Sequence, residues 1–263
     1  MNIDLSNLKD NYLKYGYAII KSAFPMQIVN EIQEHIKILT KQYPKTRPEA
    51  FHHDMLVSDP FIHHILKQHI ILNITNKFIG KNSALFGAHY IAKRPHDGKP
   101  VGWHQDGSYW PLKPMNVISL WIAGTSSNKD NGCMRVIPGS QNKRLIKASK
   151  MINLDPKKYV LDLAIKDEYV DSENAKDLEL SPGDISIHNP NIIHGSNPNF
   201  SNNWRIGLTL RLIPTTTYVN KKKWECIIIN GKKTFGINNN YKKKPLFDLQ
   251  KHMRFKGFEE YLQ

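Results

Sequence analysis

His194 lies ninety residues beyond His104, the first residue of His104-Gln105-Asp106. If those polar side chains share one ion, the fold must carry distant segments to a single point. Extended strands suit the first pair, because alternate residues of a strand point the same way. His104 and Asp106 then reach a common partner while Gln105 turns away. Two imidazoles and one carboxylate are the ligand set of the facial triad that binds iron(II) and leaves coordination positions open. Arg205, eleven residues past His194, opens the run Arg205-Ile206-Gly207-Leu208-Thr209-Leu210-Arg211. Its apolar neighbours imply that alternate positions face inward, where an unpaired guanidinium is costly. A bidentate grip on a carboxylate removes that cost. Ser196, two residues past His194 on the same strand face, can donate its hydroxyl to the same group. Iron with such an anchor points to 2-oxoglutarate and O2 as co-substrates.

The short pattern alone proves little. Twelve histidines are present, and His52-His53-Asp54 also contains His-x-Asp. That pair lacks a distal His-Gly-Ser block and falls between expected helices. It is set aside as a metal site, with His52 or His53 left as lining for a substrate entrance.

Around the motif the chain changes period. Ile28, Val29, Ile32, Ile36 and Leu39 recur at helical spacing and make one apolar stripe. Pro25 sits near its start, where a missing N–H is harmless. A second periodic stretch covers residues 62–79 and ends at Gly80. The N-terminal third, to about residue 83, is therefore expected to be helical. From Ala84 onward β-branched runs alternate with turns, at 85–92, 117–123, 133–137, 184–188 and 205–213. Pro138-Gly139-Ser140 and Pro182-Gly183-Asp184 supply turn chemistry. Helices first and many strands after predict an α+β chain, mainly β, with an antiparallel double sheet over residues 84–214. Residues 141–180, polar and mixed, read as an insertion between strands. The lysine-rich tail, residues 215–263, offers 224–229 as an edge strand.

Length and composition fit a single domain spanning residues 1–263, with 40% apolar residues for its core. No stretch approaches the roughly 18 apolar residues of a membrane span, and no opening segment resembles a signal peptide. Cys133 and Cys226 are too few for a disulfide framework. A reducing cytoplasm is the expected location, which suits ferrous iron. The net charge of +14 raises nucleic acid as a partner. Lys221-Lys222-Lys223 and Lys242-Lys243-Lys244 lack interleaved aromatics for base stacking, however, and lysine, asparagine and isoleucine are abundant together. The charge is read as a solvated, compositionally biased surface. A small-molecule substrate is expected, with no nucleic-acid, membrane or protein partner.

Trp103-His104-Gln105-Asp106-Gly107-Ser108-Tyr109-Trp110 resembles the first iron-ligand segment of the phytanoyl-CoA dioxygenase family. Asn131-Gly132-Cys133-Met134-Arg135-Val136-Ile137-Pro138-Gly139-Ser140, His194-Gly195-Ser196-Asn197-Pro198-Asn199, Arg205 and the N-terminal Tyr15-Gly16-Tyr17-Ala18-Ile19-Ile20 resemble further family segments in the same order. The likeness runs from about Leu8 to about Pro245. It implies a double-stranded β-helix, a cupin-like jelly roll, buttressed by the N-terminal helices. It also implies hydroxylation coupled to decarboxylation of 2-oxoglutarate, with release of succinate and CO2. Trp121 and His89 match family positions that flank the co-substrate, though His89 also reads as a satisfied core histidine. Related halogenases replace the carboxylate ligand with a small residue; the intact Asp106 favours hydroxylation.

Five further residues are substrate candidates. Tyr109 and Trp110 follow the metal turn, and Trp110 could hold an ammonium group by a cation–π contact. Lys93 is expected near the pocket mouth, facing an anionic group. Arg211, six beyond Arg205, faces inward on a regular strand, and His53 could line the entrance. The expected substrate is small, polar or zwitterionic, with organophosphonates or amino-acid-like compounds foremost. Acyl-CoA is the alternative, followed by a nucleic-acid demethylase of the AlkB type, which shares the Arg-x5-Arg spacing. The non-enzyme alternative is a degenerate jelly roll that serves as a binding module.

Overall fold

The computed structural model describes residues 5–262. Seven strands form the larger sheet, in the order Tyr17–Ile20, Ile185–His188, Ile118–Ala123, Gly207–Pro214, Ser83–Tyr90, Glu225–Asn230 and Asn240–Tyr241. Neighbours are antiparallel except the last pair. A smaller sheet runs Val101–His104, His194–Ser196, Met134–Val136, Lys176–Leu178. This is the expected mainly-β jelly-roll architecture with helices against one side.

Register in the larger sheet sorts its residues by face. Ile185, Ile187, Leu120, Ile122, Leu208 and Leu210 point one way, and all join the core cluster with the helical residues Ile28, Val29, Ile32, Ile36 and Leu39. Burying each such side chain contributes about 1.5–3 kcal/mol, so this face fastens the helical layer. The opposite face carries two rows of polar and aromatic residues. Ser186, Trp121, Thr209 and His89 are cross-strand neighbours in one row; His188, Ser119, Arg211 and Gly87 follow in the next. That polar face is the floor of the site.

Several expectations change. Tyr17–Ile20 is a strand on the sheet edge rather than part of a helix, turned into place by Gly16 at φ 82°. The stretch 62–79 is two helices, Pro60–Leu66 and His69–Ile79, broken at an extended Gln68. Periodicity continues across the break because both halves bury the same kind of face. The insertion 141–180 is built: Met151–Asn153 pairs with Leu163–Ile165 as a hairpin, and Lys176–Leu178 completes the smaller sheet. Its strands are only three residues long, too short for alternation to reveal. In the tail, Glu225–Asn230 is flanked by Asn240–Tyr241, while Phe247, Met253, Phe255 and Tyr261 return to the helical core. No helix among the described residues is long and apolar enough to cross a membrane.

Candidate active site

His104 ends its strand directly opposite His194, and the two ring centroids lie 4.0 Å apart. Asp106 opens a short turn, Asp106–Ser108. Gly107 N donates to Pro190 O at 2.7 Å, which ties that turn to the segment before His194. Gln105 points away as expected; it donates to Asn191 O at 2.6 Å and accepts from Ile146 N at 2.9 Å. The ninety-residue gap is closed by these contacts. His104, Asp106 and His194 are buried, and one ligand atom from each lies within 4.8 Å of the others.

Each imidazole is oriented by its own strand. His104 Nδ1 lies 2.9 Å from Gly102 O, and His194 Nδ1 lies 3.0 Å from Ile192 O. A carbonyl can only accept, so Nδ1 carries the proton and Nε2 keeps its lone pair. Burial, then the neighbouring His104, holds His194 well below the ordinary histidine range. Burial pushes the Asp106 carboxyl up, but the neighbouring charge of Arg211 leads the effects that outweigh it and keep it ionised. Two neutral imidazoles and a carboxylate are what a divalent cation requires.

The far end of the cavity is basic. Arg205 is 1% exposed; its guanidinium donates to Gly132 O and Ile91 O, each at 3.0 Å, and lies 5.4 Å from the Trp121 ring. Gly132 reaches that position at φ +73°, and a Cβ there would meet Asn197 O at 2.3 Å. Burial lowers the Arg205 guanidinium only to about 10, so it remains a cation. Lys93 is not at a mouth. It is fully buried, because its backbone bridge to Arg205 turns the side chain inward. Its ammonium donates to Ser196 Oγ at 2.7 Å and to Asn197 O.

A cavity of about 90 Å³ joins the two ends, lined by His104, Asp106, His194, Trp121, Ser196, Arg205 and Arg211, with Val160 and Leu161 from the hairpin loop. Asp106 Oδ2, His188 Nδ1, Thr209 Oγ1, Arg205 Nε and Arg211 Nε are buried there without hydrogen-bond partners. Orphaned polar groups cost about 1–3 kcal/mol each. Their clustering on the cavity side fits a metal ion and a polar acid.

His188 was not singled out from the sequence. It ends a predicted strand, its Nε2 lies 3.9 Å from Asp106 Oδ2, and burial lowers it to about 4. Alternation from Ser186 could have placed it on the site face. Arg211 faces inward as expected, with Nε 3.7 Å from Asp106 Oδ2. Its guanidinium occupies the Trp110 face at 5.1 Å, so the ammonium seat expected on that indole is already filled. His89 lines the cavity but commits Nε2 to Glu49 O at 2.9 Å. His53 has both ring nitrogens engaged, with Glu225 O and Ala88 N, and stacks on Trp224. Tyr109 is on the wall of a separate, outer chamber that shares His89 and Arg211 with the cavity, its hydroxyl donating to Leu163 O at 3.3 Å. His52 and Asp54 line the same chamber without joining the metal cluster.

Comparisons with known proteins bear on the family and the fold. The profile described as "Phytanoyl-CoA dioxygenase (PhyH)" matches residues 12–207. A relative from Stutzerimonas stutzeri, named a probable alpha-ketoglutarate-dependent hypophosphite dioxygenase, is 26% identical over 207 residues, 72% of each chain. A Dictyostelium discoideum homolog of phytanoyl-CoA dioxygenase domain-containing protein 1 is 32% identical over 136 residues, which are 50% of this chain and 47% of that one. A solved structure of the non-heme monooxygenase ThoJ, in its apo form, superposes with a TM-score of 0.74 at 18% identity, covering 90% of this chain and 88% of that one. With the profile spanning most of the sequence, the chain belongs to the phytanoyl-CoA dioxygenase family of iron- and 2-oxoglutarate-dependent dioxygenases.

Proposed function

We propose that this iron- and 2-oxoglutarate-dependent dioxygenase holds its metal with His104, Asp106 and His194 and hydroxylates a small polar or zwitterionic molecule, organophosphonate or amino-acid-like in kind. The observation that carries the reading is the convergence of three ligand atoms within 4.8 Å in one cavity with the buried Arg205 and with Ser196, to which the buried Lys93 donates. Bound iron(II) supplies dioxygen activation coupled to oxidative decarboxylation of the keto acid.

The chain's own groups, backbone and side chain, supply orientation and dryness. The Gly102 and Ile192 carbonyls fix both imidazoles with Nε2 toward the shared point. Arg205 and Lys93 provide the charge for the far carboxylate of 2-oxoglutarate. Ser196 accepts from Lys93, which leaves its own proton to donate to that carboxylate. Trp121, Val160 and Leu161 wall the cavity against water.

For the substrate, the relative named for hypophosphite supports a phosphorus acid. The adjoining chamber of about 640 Å³ has room for a larger organic molecule. That volume also favours a second reading, acyl-CoA hydroxylation, in line with relatives named phytanoyl-CoA dioxygenase.

Iron(II) and 2-oxoglutarate added without oxygen should produce a weak visible charge-transfer band. His104→Ala should abolish it, along with succinate release coupled to substrate oxidation. Survival of coupled turnover in that variant refutes the metal assignment. A succinate-release screen of phosphonates, amino acids and acyl-CoAs decides the substrate, and strict activity on long-chain acyl-CoA leaves only the second reading.

A further inference from the structure

The chamber outside the metal cavity shares His89 and Arg211 with it. Beside Tyr109, its aromatic wall holds a group of three rings in mutual contact. Phe86 meets Trp110 edge-on with centroids 5.7 Å apart, and tilts against Trp224 at 5.4 Å. An open indole face is a favourable seat for a ligand ammonium. Here both indoles carry a cation from the protein itself. The Arg211 guanidinium lies over Trp110 at 5.1 Å, and the Lys221 ammonium lies over Trp224 at 4.2 Å. A substrate cation would have to displace one of them and face the other.

The two cations occupy different depths. Arg211 lies at the inner end, where Asp106 Oδ2 at 3.7 Å balances part of its charge. Lys221 lines only the outer chamber and forms no ion pair among the described residues. Among the described residues, Asp54 is the chamber's one lining carboxylate, against two cations. The lining therefore sets two cations and one carboxylate around the aromatic rings, with Lys221 the cation left unpaired.

We infer that the substrate is an anion with a flat or apolar body, its acidic head drawn to Arg211 and Lys221, its body against Phe86, Trp110 and Trp224. Lys221 is the residue that sets this charge preference. The inference rests on the dioxygenase reading above and narrows it: a substrate bearing only an ammonium head has no free seat. A phosphonate and a carboxylate share the required chemistry. Because Lys221 is exposed, its attraction is modest and salt-dependent.

The test is calorimetric titration of the full chain, loaded with iron(II) and 2-oxoglutarate under argon. The probes are phenylphosphonate, benzoate, neutral benzamide and phenyltrimethylammonium. Both anions should bind more tightly than benzamide, and the ammonium ion most weakly. Lys221→Glu should weaken the anions about fivefold and strengthen the ammonium ion. Lys221→Arg should restore the original order. Benzoate against phenylphosphonate separates carboxylic from phosphorus acids as the preferred head. Equal binding of benzamide and the anions, tighter binding of the ammonium ion, or an unchanged order in Lys221→Glu overturns the inference. The visible band of the metal–keto acid complex is read in the same samples. Its absence counts against the dioxygenase reading, whereas a normal band without anion preference counts against this inference alone.

Discussion

Lys93 and Arg205 exchange both backbone hydrogen bonds, Lys93 N to Arg205 O at 2.8 Å and Arg205 N to Lys93 O at 3.1 Å. The exchange sets two basic side chains next to each other in the interior, 0% and 1% exposed. Burial first, then the Arg205 charge, pushes the Lys93 ammonium well below its ordinary range. Like charges at close quarters in a poorly solvated site repel unless an anion lies between them. Dicarboxylate binding is therefore expected to depend on both. Lys93→Met keeps the length of the side chain and removes its charge. The KM for 2-oxoglutarate should rise about thirtyfold, the lower end for a lost buried charge pair, while iron affinity is retained. In the wild type, 2-oxoglutarate should raise the unfolding temperature by mass action, and Lys93→Met should lose most of that gain. An unchanged KM would remove Lys93 from the co-substrate end.

Gly207 makes the opposite kind of contribution, by having no side chain. A Cβ at this position would meet Trp121 Cζ2 at 2.0 Å, inside the space the indole occupies beside Arg205. Gly207→Ala must push Trp121 off its place, and overpacking of this kind costs about 1–3 kcal/mol. The expected result is a lower urea midpoint together with a raised KM for 2-oxoglutarate. Restoring space with Trp121→Phe in the same chain should recover part of the stability. Full wild-type behaviour in the single variant would mean the indole yields at no cost.

The parts legible from the sequence are those set by local rules. His104 and Asp106 were paired by strand alternation, and Arg211 by the same rule, which its register with Ser119 maintains. Lys93 was legible as a basic residue near the site but not as a buried one. Its inward turn depends on a bridge to Arg205, more than a hundred residues away, that no local pattern encodes. Residues 151–165 were opaque for another reason. Their three-residue strands are stabilised by packing against Val101–His104, where Gly102 lets Ala164 and Leu154 approach closely. Lys221 looked like one member of a lysine triplet; only the fold lays it on Trp224.

The buried histidines predict how stability responds to acid. Burial lowers His188 to about 4 and His89 to about 3, against about 6.5 for an unperturbed histidine. Both therefore stay neutral in the folded chain at pH values where the unfolded chain takes up protons. The sign follows: their contribution is complete above pH 6.5 and is lost as pH falls through 6.5 toward 4 and then 3. Each contributes a slope of at most about 1.4 kcal/mol per pH unit inside that window. Asp106 and Asp59, held low in the folded state, lose their contribution only as pH falls below the ordinary carboxylate value, so between pH 6.5 and 4.5 the histidines dominate. Urea midpoints of the iron-free chain measured at pH 7.5, 6 and 5 should fall steadily. His89→Gln should flatten the decline by up to one proton's share, because glutamine cannot take up a proton when the chain unfolds. Midpoints that stay level across this range, or a slope untouched by His89→Gln, would mean that His89 is protonated in the folded chain after all.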